Sequence, residues 1–340
     1  MNYQLLTLAL VSFPLLGALI AGLGGKAVSQ RVAHSVTTLG VTLSFLLSLY
    51  FAYQFFFLHS AAYDANLYLW DLTAKFRFNI GFLTLFSYMS AFTFAMLMLV
   101  SANNFLQLFF GWEAVGLVSY LLIGFWFKRP SANAGSLKAF LVNRVGDFGF
   151  LLGIALLFSY FGSLDYLQVF HLAPQFQDIT VRLLPNVNCG LITLICFLLF
   201  VGAMGKSAQV PLHVWLPESM EGPTPISALI HAATMVTAGV YLVARLSPLY
   251  QSSPEVLNLI LILGGTTALF MGLVALVQND IKRVIAYSTL SQLGYMMVAL
   301  GASAYTAGIF QFSYSRLFQS IALFSRRRRD FKPSPSTRYS

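Results

Sequence analysis

Residues 198–245 read LLFVGAMGKSAQVPLHVWLPESMEGPTPISALIHAATMVTAGVYLVAR. Two apolar runs flank Lys206 and a set of helix-interrupting residues, Gly202, Gly205, Pro211, Pro217, Pro223 and Pro225, so an unbroken helix is not expected here. An apolar run that breaks beside an ionisable residue is a frequent architecture for ion sites inside membranes. Burial weakens a lysine's hold on its proton and a nearby carboxylate strengthens it, so moving that carboxylate makes the lysine bind and release a proton. The competing reading is a snorkelling lysine whose ammonium reaches the membrane surface.

Working outward, the 340 residues are 58% hydrophobic, 15% aromatic and only 9% charged, with a mean hydropathy of +0.75. A soluble domain carries about 25% charged residues, so a soluble globule is excluded. Apolar runs of membrane-crossing length recur at Leu5 to Leu23, Val36 to Leu58, Ile80 to Val100, Phe105 to Phe127, Ala139 to Phe161, Leu191 to about Val210, Ile226 to Leu246, Val256 to Val277 and Ile281 to Leu300. A further candidate from Ala304 loses its apolar character at Arg316 and Gln319 and is not counted. No alternation of the kind a lipid-facing barrel needs is visible, which leaves helices as the spanning structure. The expected fold class is an all-α polytopic transmembrane bundle with a discontinuous helix near Lys206.

The net charge of +9 is concentrated in part in one block, Arg326 to Arg329, so nucleic-acid binding is a poor reading of the pI of 9.6. Cys189 and Cys196 match no zinc, haem or disulfide spacing, and no metal site is expected. The N-terminus lacks the basic stretch of a cleaved signal and reads as a first anchor.

Basic residues accumulate in loops on the cytoplasmic side. The rich loops hold Lys26 and Arg31; Lys128, Arg129 and Lys138; and Lys282 with Arg283. An even number of spans separates the second from the third, whose intervening outer loops carry only Arg182. An odd number separates the first from the second, so either the rule fails there, near Lys75 and Arg77, or a helix is missing.

Charges inside apolar spans cost about 2.5–3.5 kcal/mol each on insertion scales, which makes the few present informative. Glu113 sits mid-span in FFGWEAVGLVSYLLIGFW between Gly111 and Gly116; a hydrogen-bonded structural carboxylate is its bland reading. Arg144 and Asp147 in VNRVGDFGF share a helix face and can neutralise each other, functionally or as a structural pair. His231 in SALIHAATMV titrates near neutrality and suits proton relay, although a satisfied core histidine competes.

These segments resemble a known family. GWEAVGLVSYLLIGFWF, NRVGD, the block from GAMGKSAQ to GVYLVAR, and ALVQNDIKRVIAYSTLSQLGYMMVALG are similar to the antiporter-type membrane subunits of respiratory complex I, most closely the L-type subunit of bacterial NADH:quinone oxidoreductase. The likeness runs in register from about Phe92 to Phe310. It implies that Glu113 and Lys206 are the carboxylate and lysine of a proton channel, with His231 the next relay and Arg144 and Asp147 a supporting pair. It implies proton translocation coupled to quinone reduction elsewhere in the complex, in a bacterial inner membrane, with other complex I membrane subunits and the lipid bilayer as partners. No cofactor is expected on this chain; NADH, FMN, iron-sulfur clusters and quinone would belong to other subunits, since neither a dinucleotide fingerprint nor cluster-ligand cysteines occur.

Two departures from that family are expected. Phe78 to Leu83 runs almost directly into Ser87 to Leu99 where the family has a further helix, which is where the parity of the basic loops failed. After GIFQ the family carries a helix with two histidines and a lysine, whereas here FSYSRLFQSIALFSRRRRDFKPSPSTRYS follows. With suitable codons, Ser313 to Asp330 read one base out of frame as LTHAFFKALLFLAAGAV, so the expectation is a truncated member with a frameshifted tail; lipid binding by the arginine block is the rival. The corresponding division is N-terminal helices over 1–80, channel helices over 81–312 and the tail over 313–340. An Mrp-type cation/proton antiporter subunit and a non-functional truncated gene product are the alternative functions.

Overall fold

The computed structural model describes residues 3–23, 29–57, 82–184, 187–222, 226–227, 229–230 and 234–311. It divides into two units, Met1–Leu122 and Ile123–Ser340. In the first, α1 (Tyr3–Leu23), α2 (Gln30–Phe57) and α3 (Phe82–Val100) pack on one another, and α4 (Phe105–Ile123) follows. Asn104 starts α4 by taking the Gln107 N–H at 2.7 Å, a side-chain cap for a donor the helix cannot use itself. The face of α4 that carries Phe105, Leu108, Trp112 and Val115 is fully buried. The segment before α3, on which the missing-helix expectation falls, lies outside the described residues, as do 312–340 and the expectation of a frameshifted tail.

The second unit opens with α5 (Pro130–Phe161), whose first turn holds Pro130, where a missing N–H costs nothing. Sequence placed this span from Ala139 and left Lys138 in the preceding loop; the helix begins earlier and carries Lys138. Gly162 ends it in the left-handed region at φ 66°, its N–H bonded to the Phe158 carbonyl. A short helix α6 (Tyr166–Leu172) and a two-stranded antiparallel hairpin follow, β1 (Thr180–Leu184) and β2 (Val187–Gly190), with Thr180 opposite Gly190. The sequence reading contained no strand. The hairpin lies in the connection and not in a span, so the membrane-crossing part remains helical. In that connection Tyr166 is buried, with the Arg245 guanidinium 5.5 Å from its ring; burial raises the phenol's pKa well above its ordinary value, and the guanidinium opposes this only in part.

Next come α7 (Leu191–Lys206), α8 (Ala238–Arg245), α9 (Ser247–Gln251), α10 (Pro254–Leu276) and α11 (Ile281–Gly301). Asp280 caps α11 by accepting the Lys282 N–H at 3.0 Å. The span expected over Ile226 to Leu246 is interrupted: a 3-10 turn at Met235–Thr237 precedes α8, and the described regular α-helix covers only its later part. The candidate from Ala304 continues as helix through residues 305–311.

One turn brings both basic loops of this unit together. Glu218 in the 3-10 turn Glu218–Glu221 meets the Lys138 ammonium at 2.5 Å, Glu221 accepts from Ser131 at 3.1 Å, and Lys282 donates to the Met220 carbonyl at 3.1 Å. The loop before α5 and the loop before α11 therefore share one face, as the even number of intervening spans requires.

α5 and α7 meet along a seam of glycines. A Cβ on Gly205 would sit 3.2 Å from the Gly146 Cα, and one on Gly202 would sit 2.6 Å from the Phe150 Cβ. Such approach of two backbones is what small residues contribute inside membranes. Gly202→Ala is expected to destabilise the protein by about 1–3 kcal/mol through overpacking, read as a lowered unfolding midpoint in detergent micelles.

Candidate functional site

α7 has 16 residues, so it is about 24 Å long at 1.5 Å per residue, short of the roughly 30 Å of hydrocarbon. Its last residue is Lys206, and the chain completes the crossing to Glu218 without regular α-helix. The stop is a Schellman motif: Gln209 N–H bonds to the Met204 carbonyl at 3.0 Å and Ala208 N–H to the Gly205 carbonyl at 3.3 Å. The left-handed residue of this motif is usually glycine; here it is Ala208, at φ 48°. A Cβ in that region is strained by about 1 kcal/mol or more.

Backbone that leaves the helix at membrane depth must be buried in protein and find other partners. Ser207, Ala208, Gln209, Trp215 and Leu216 are all fully buried. The Val210 N–H goes to the Thr267 hydroxyl of α10 at 3.2 Å, and the Trp215 indole N–H to the Gly205 carbonyl at 3.1 Å. The Ser207 hydroxyl donates to the Val236 carbonyl at 2.7 Å, which ties the end of α7 to the interruption before α8.

The glycine seam sets the charges. Gly146 and Gly205 touch, and the next residue on each helix is Asp147 and Lys206. Their side chains, 5% and 1% exposed, meet with Lys206 Nζ 3.5 Å from Asp147 Oδ2. Lys206 does not snorkel; its ammonium is buried against a carboxylate of a neighbouring helix. This partner of Asp147 was not indicated by spacing, which pointed to Arg144 on the same helix. Arg144 is half-buried, its guanidinium 4.7 Å from the Phe140 ring centroid. One turn before Asp147, the buried Asn143 uses its amide N–H on the Ala139 carbonyl at 2.7 Å.

Glu113 lies half-buried on α4 of the first unit, between the buried Trp112 and Val115. His231, with Pro223 and Pro225, lies outside the described residues. Sequence reasoning passed over Asn143, Gln209, His213, Trp215 and Thr267. A polar side chain in or beside an apolar run was the available signal for each. Among the described residues no group of histidine, cysteine and acidic side chains could hold a metal ion.

Fold and site define a polytopic helical membrane protein with a buried ion pair at the end of an interrupted helix. The chain belongs to the family described as NADH:quinone oxidoreductase/Mrp antiporter, transmembrane, whose model matches residues 102–330. That match ends inside the tail that the sequence reading sets apart.

The NADH-quinone oxidoreductase subunit L of Neisseria meningitidis serogroup A is 54% identical over 357 positions, covering 94% of this chain and 53% of the relative. The chain thus spans about half the length of that relative. An alignment of 357 positions on 340 residues also means that the relative has residues where this chain has none, in keeping with an absent segment. The structure of an Mrp complex from a Dietzia species matches with a TM-score of 0.64 at 32% identity, over 70% of this chain and 25% of that one. A membrane-bound sulfane sulfur reductase, an archaeal respiratory membrane complex, shares the fold with a TM-score of 0.74 at 20% identity, over 94% of this chain and 70% of that one.

Two stability tests follow from the geometry. Ala208→Gly is expected to raise stability by about 1 kcal/mol by relieving the left-handed strain, measured by unfolding in mixed micelles. Lys206→Met alone is expected to cost about 3–5 kcal/mol, because it strands a buried carboxylate. Combined with Asp147→Asn, the loss should fall short of the sum of the single losses by about 0.5–3 kcal/mol; strict additivity in the same assay would exclude the pair.

Proposed function

We propose that the chain is the L-type membrane subunit of a proton-translocating NADH:quinone oxidoreductase, and that it moves protons in step with quinone reduction on other subunits. Its place is the bacterial inner membrane, as a multi-pass chain among the other complex I membrane subunits and lipid. NADH, FMN, iron-sulfur clusters and quinone belong to those other subunits. The observation that supports this reading best is the Lys206–Asp147 pair at the end of α7, 3.5 Å apart and almost fully buried. A lysine so desolvated keeps its proton while a carboxylate faces it and loses it when the carboxylate turns away or is neutralised. In this reading Lys206 carries the proton, Asp147 controls its retention, Arg144 supports that carboxylate, Glu113 is a second carboxylate of the path and His231 the next relay.

The likeness to the Mrp complex favours a second reading, a cation/proton antiporter subunit of Mrp type, over the same residues. The two differ in what drives the proton: NADH oxidation with quinone in the first, an opposing cation gradient in the second.

The test is NADH-driven acidification of proteoliposomes holding the assembled complex. Lys206→Ala should abolish it. Lys206→Arg should abolish it too while preserving assembly, because a guanidinium keeps charge and hydrogen bonds but does not deprotonate at these pH values. Full acidification with arginine at 206 would overturn the relay role.

A further inference from the structure

The route from Lys206 to the basic face runs through the non-helical residues 207–217 and, beside them, the first turns of α5. Four buried side-chain atoms on this route or just past its end lack a protein hydrogen bond: Asn143 Oδ1, Gln209 Oε1, His213 Nδ1 and Ser227 Oγ. Asn143 lies between Lys138 at the face and Asp147 in the interior. Gln209 and His213 lie in chain order between Lys206 and Glu218, and Ser227 follows the Glu218–Glu221 turn. Each unmade buried hydrogen bond costs about 1–3 kcal/mol, so atoms of this kind are where proteins hold ordered water. Gln209 is fully buried and spends its amide N–H on the Ser207 carbonyl at 3.0 Å, which leaves its oxygen for a further donor.

His213 differs from the other three in being able to take up and give up a proton near neutral pH. Its ring is half-buried and sits where the chain passes from the interior to the face. Resting on the proton-translocation reading, we propose that His213 relays protons between the basic face and the Lys206–Asp147 pair, through water held at Gln209 and Asn143. The neutral ring binds a proton from water at one nitrogen and gives up the proton of the other to the next water inward. One N–H bond forms as the other breaks, the ring returns to neutral with its tautomer exchanged, and a deprotonated Lys206 amine receives the proton at the end of the water chain. No electron moves.

The experiment is NADH-driven acidification by proteoliposomes of the assembled complex carrying His213→Gln, His213→Ala or Lys206→Ala. Glutamine keeps hydrogen bonding without a titratable ring, and the expected loss of rate is about 100-fold, the scale of a missing general acid–base group. Imidazole added to the medium should restore His213→Ala and leave Lys206→Ala inactive, which a merely structural histidine would not produce. Wild-type acidification by His213→Gln together with an inactive Lys206→Ala overturns this proposal and leaves the channel reading standing. A normal Lys206→Ala overturns the channel reading itself. If no variant at 213 assembles, nitrogen-15 labelling of the wild-type imidazoles decides the matter: a ring at 213 that keeps one protonation state and tautomer through turnover overturns the relay.

Discussion

Hydrocarbon offers no water to a backbone that stops being helical, and α7 stops at Lys206, well short of the membrane's thickness. Everything around the site answers that constraint. The carbonyls at the end of α7 are taken by the Schellman turn and by the Trp215 indole, the Val210 N–H by Thr267, and the buried residues 207–209 keep the irregular chain away from lipid. The long stretch with its interrupting prolines and glycines is therefore a packed element of the bundle, and Trp215 is a hydrogen-bond donor as well as bulk.

The same packing fixes the electrostatics. Two backbones can approach as closely as Gly146 and Gly205 do only without side chains between them, and that approach delivers the following residue of each helix to the other. A buried ion pair adds little net stability, since desolvation of both charges offsets their attraction. Its persistence at 1% and 5% exposure points to a use for a charge that can be switched, not to a structural tie.

Much of this was legible in the sequence. Long apolar runs have one solution in lipid, so the spans over α1 to α5, α10 and α11 and the interruption at Lys206 could be read directly. The basic loops at Lys138 and Lys282 could be assigned to one face by counting. What could not be read was contact between helices. Spacing tells which residues share a face of one helix, so it offered Arg144 to Asp147, whereas the partner found across the seam is Lys206. The glycines at 146, 202 and 205 were the available hint. The hairpin was missed because its strands are short and lie in a connection, and the interruption before α8 because Met235, Val236 and Thr237 carry no breaker. The left-handed Ala208 has no sequence mark at all, since alanine is the best of helix formers.

Lys206 is compensated twice, and the two compensations are not alike. It stands in the last turn of α7, where the unshared carbonyls of a helix present about half a negative charge, an effect of at most about 2 kcal/mol that falls off within a turn. At this end several of those carbonyls are already engaged by Ser207, Ala208, Gln209 and Trp215, and they move only if the turn itself unfolds. The Asp147 carboxylate is a full charge on a side chain with rotamers of its own, on a different helix. The dipole is thus a fixed bias, and any change in how tightly the ammonium keeps its proton has to come through the carboxylate. A lysine at a helix end with its acid on a neighbouring helix is consequently more readily switched than the intrahelical Arg144–Asp147 pair that spacing suggested, because motion between two helices can change one separation without breaking either helix.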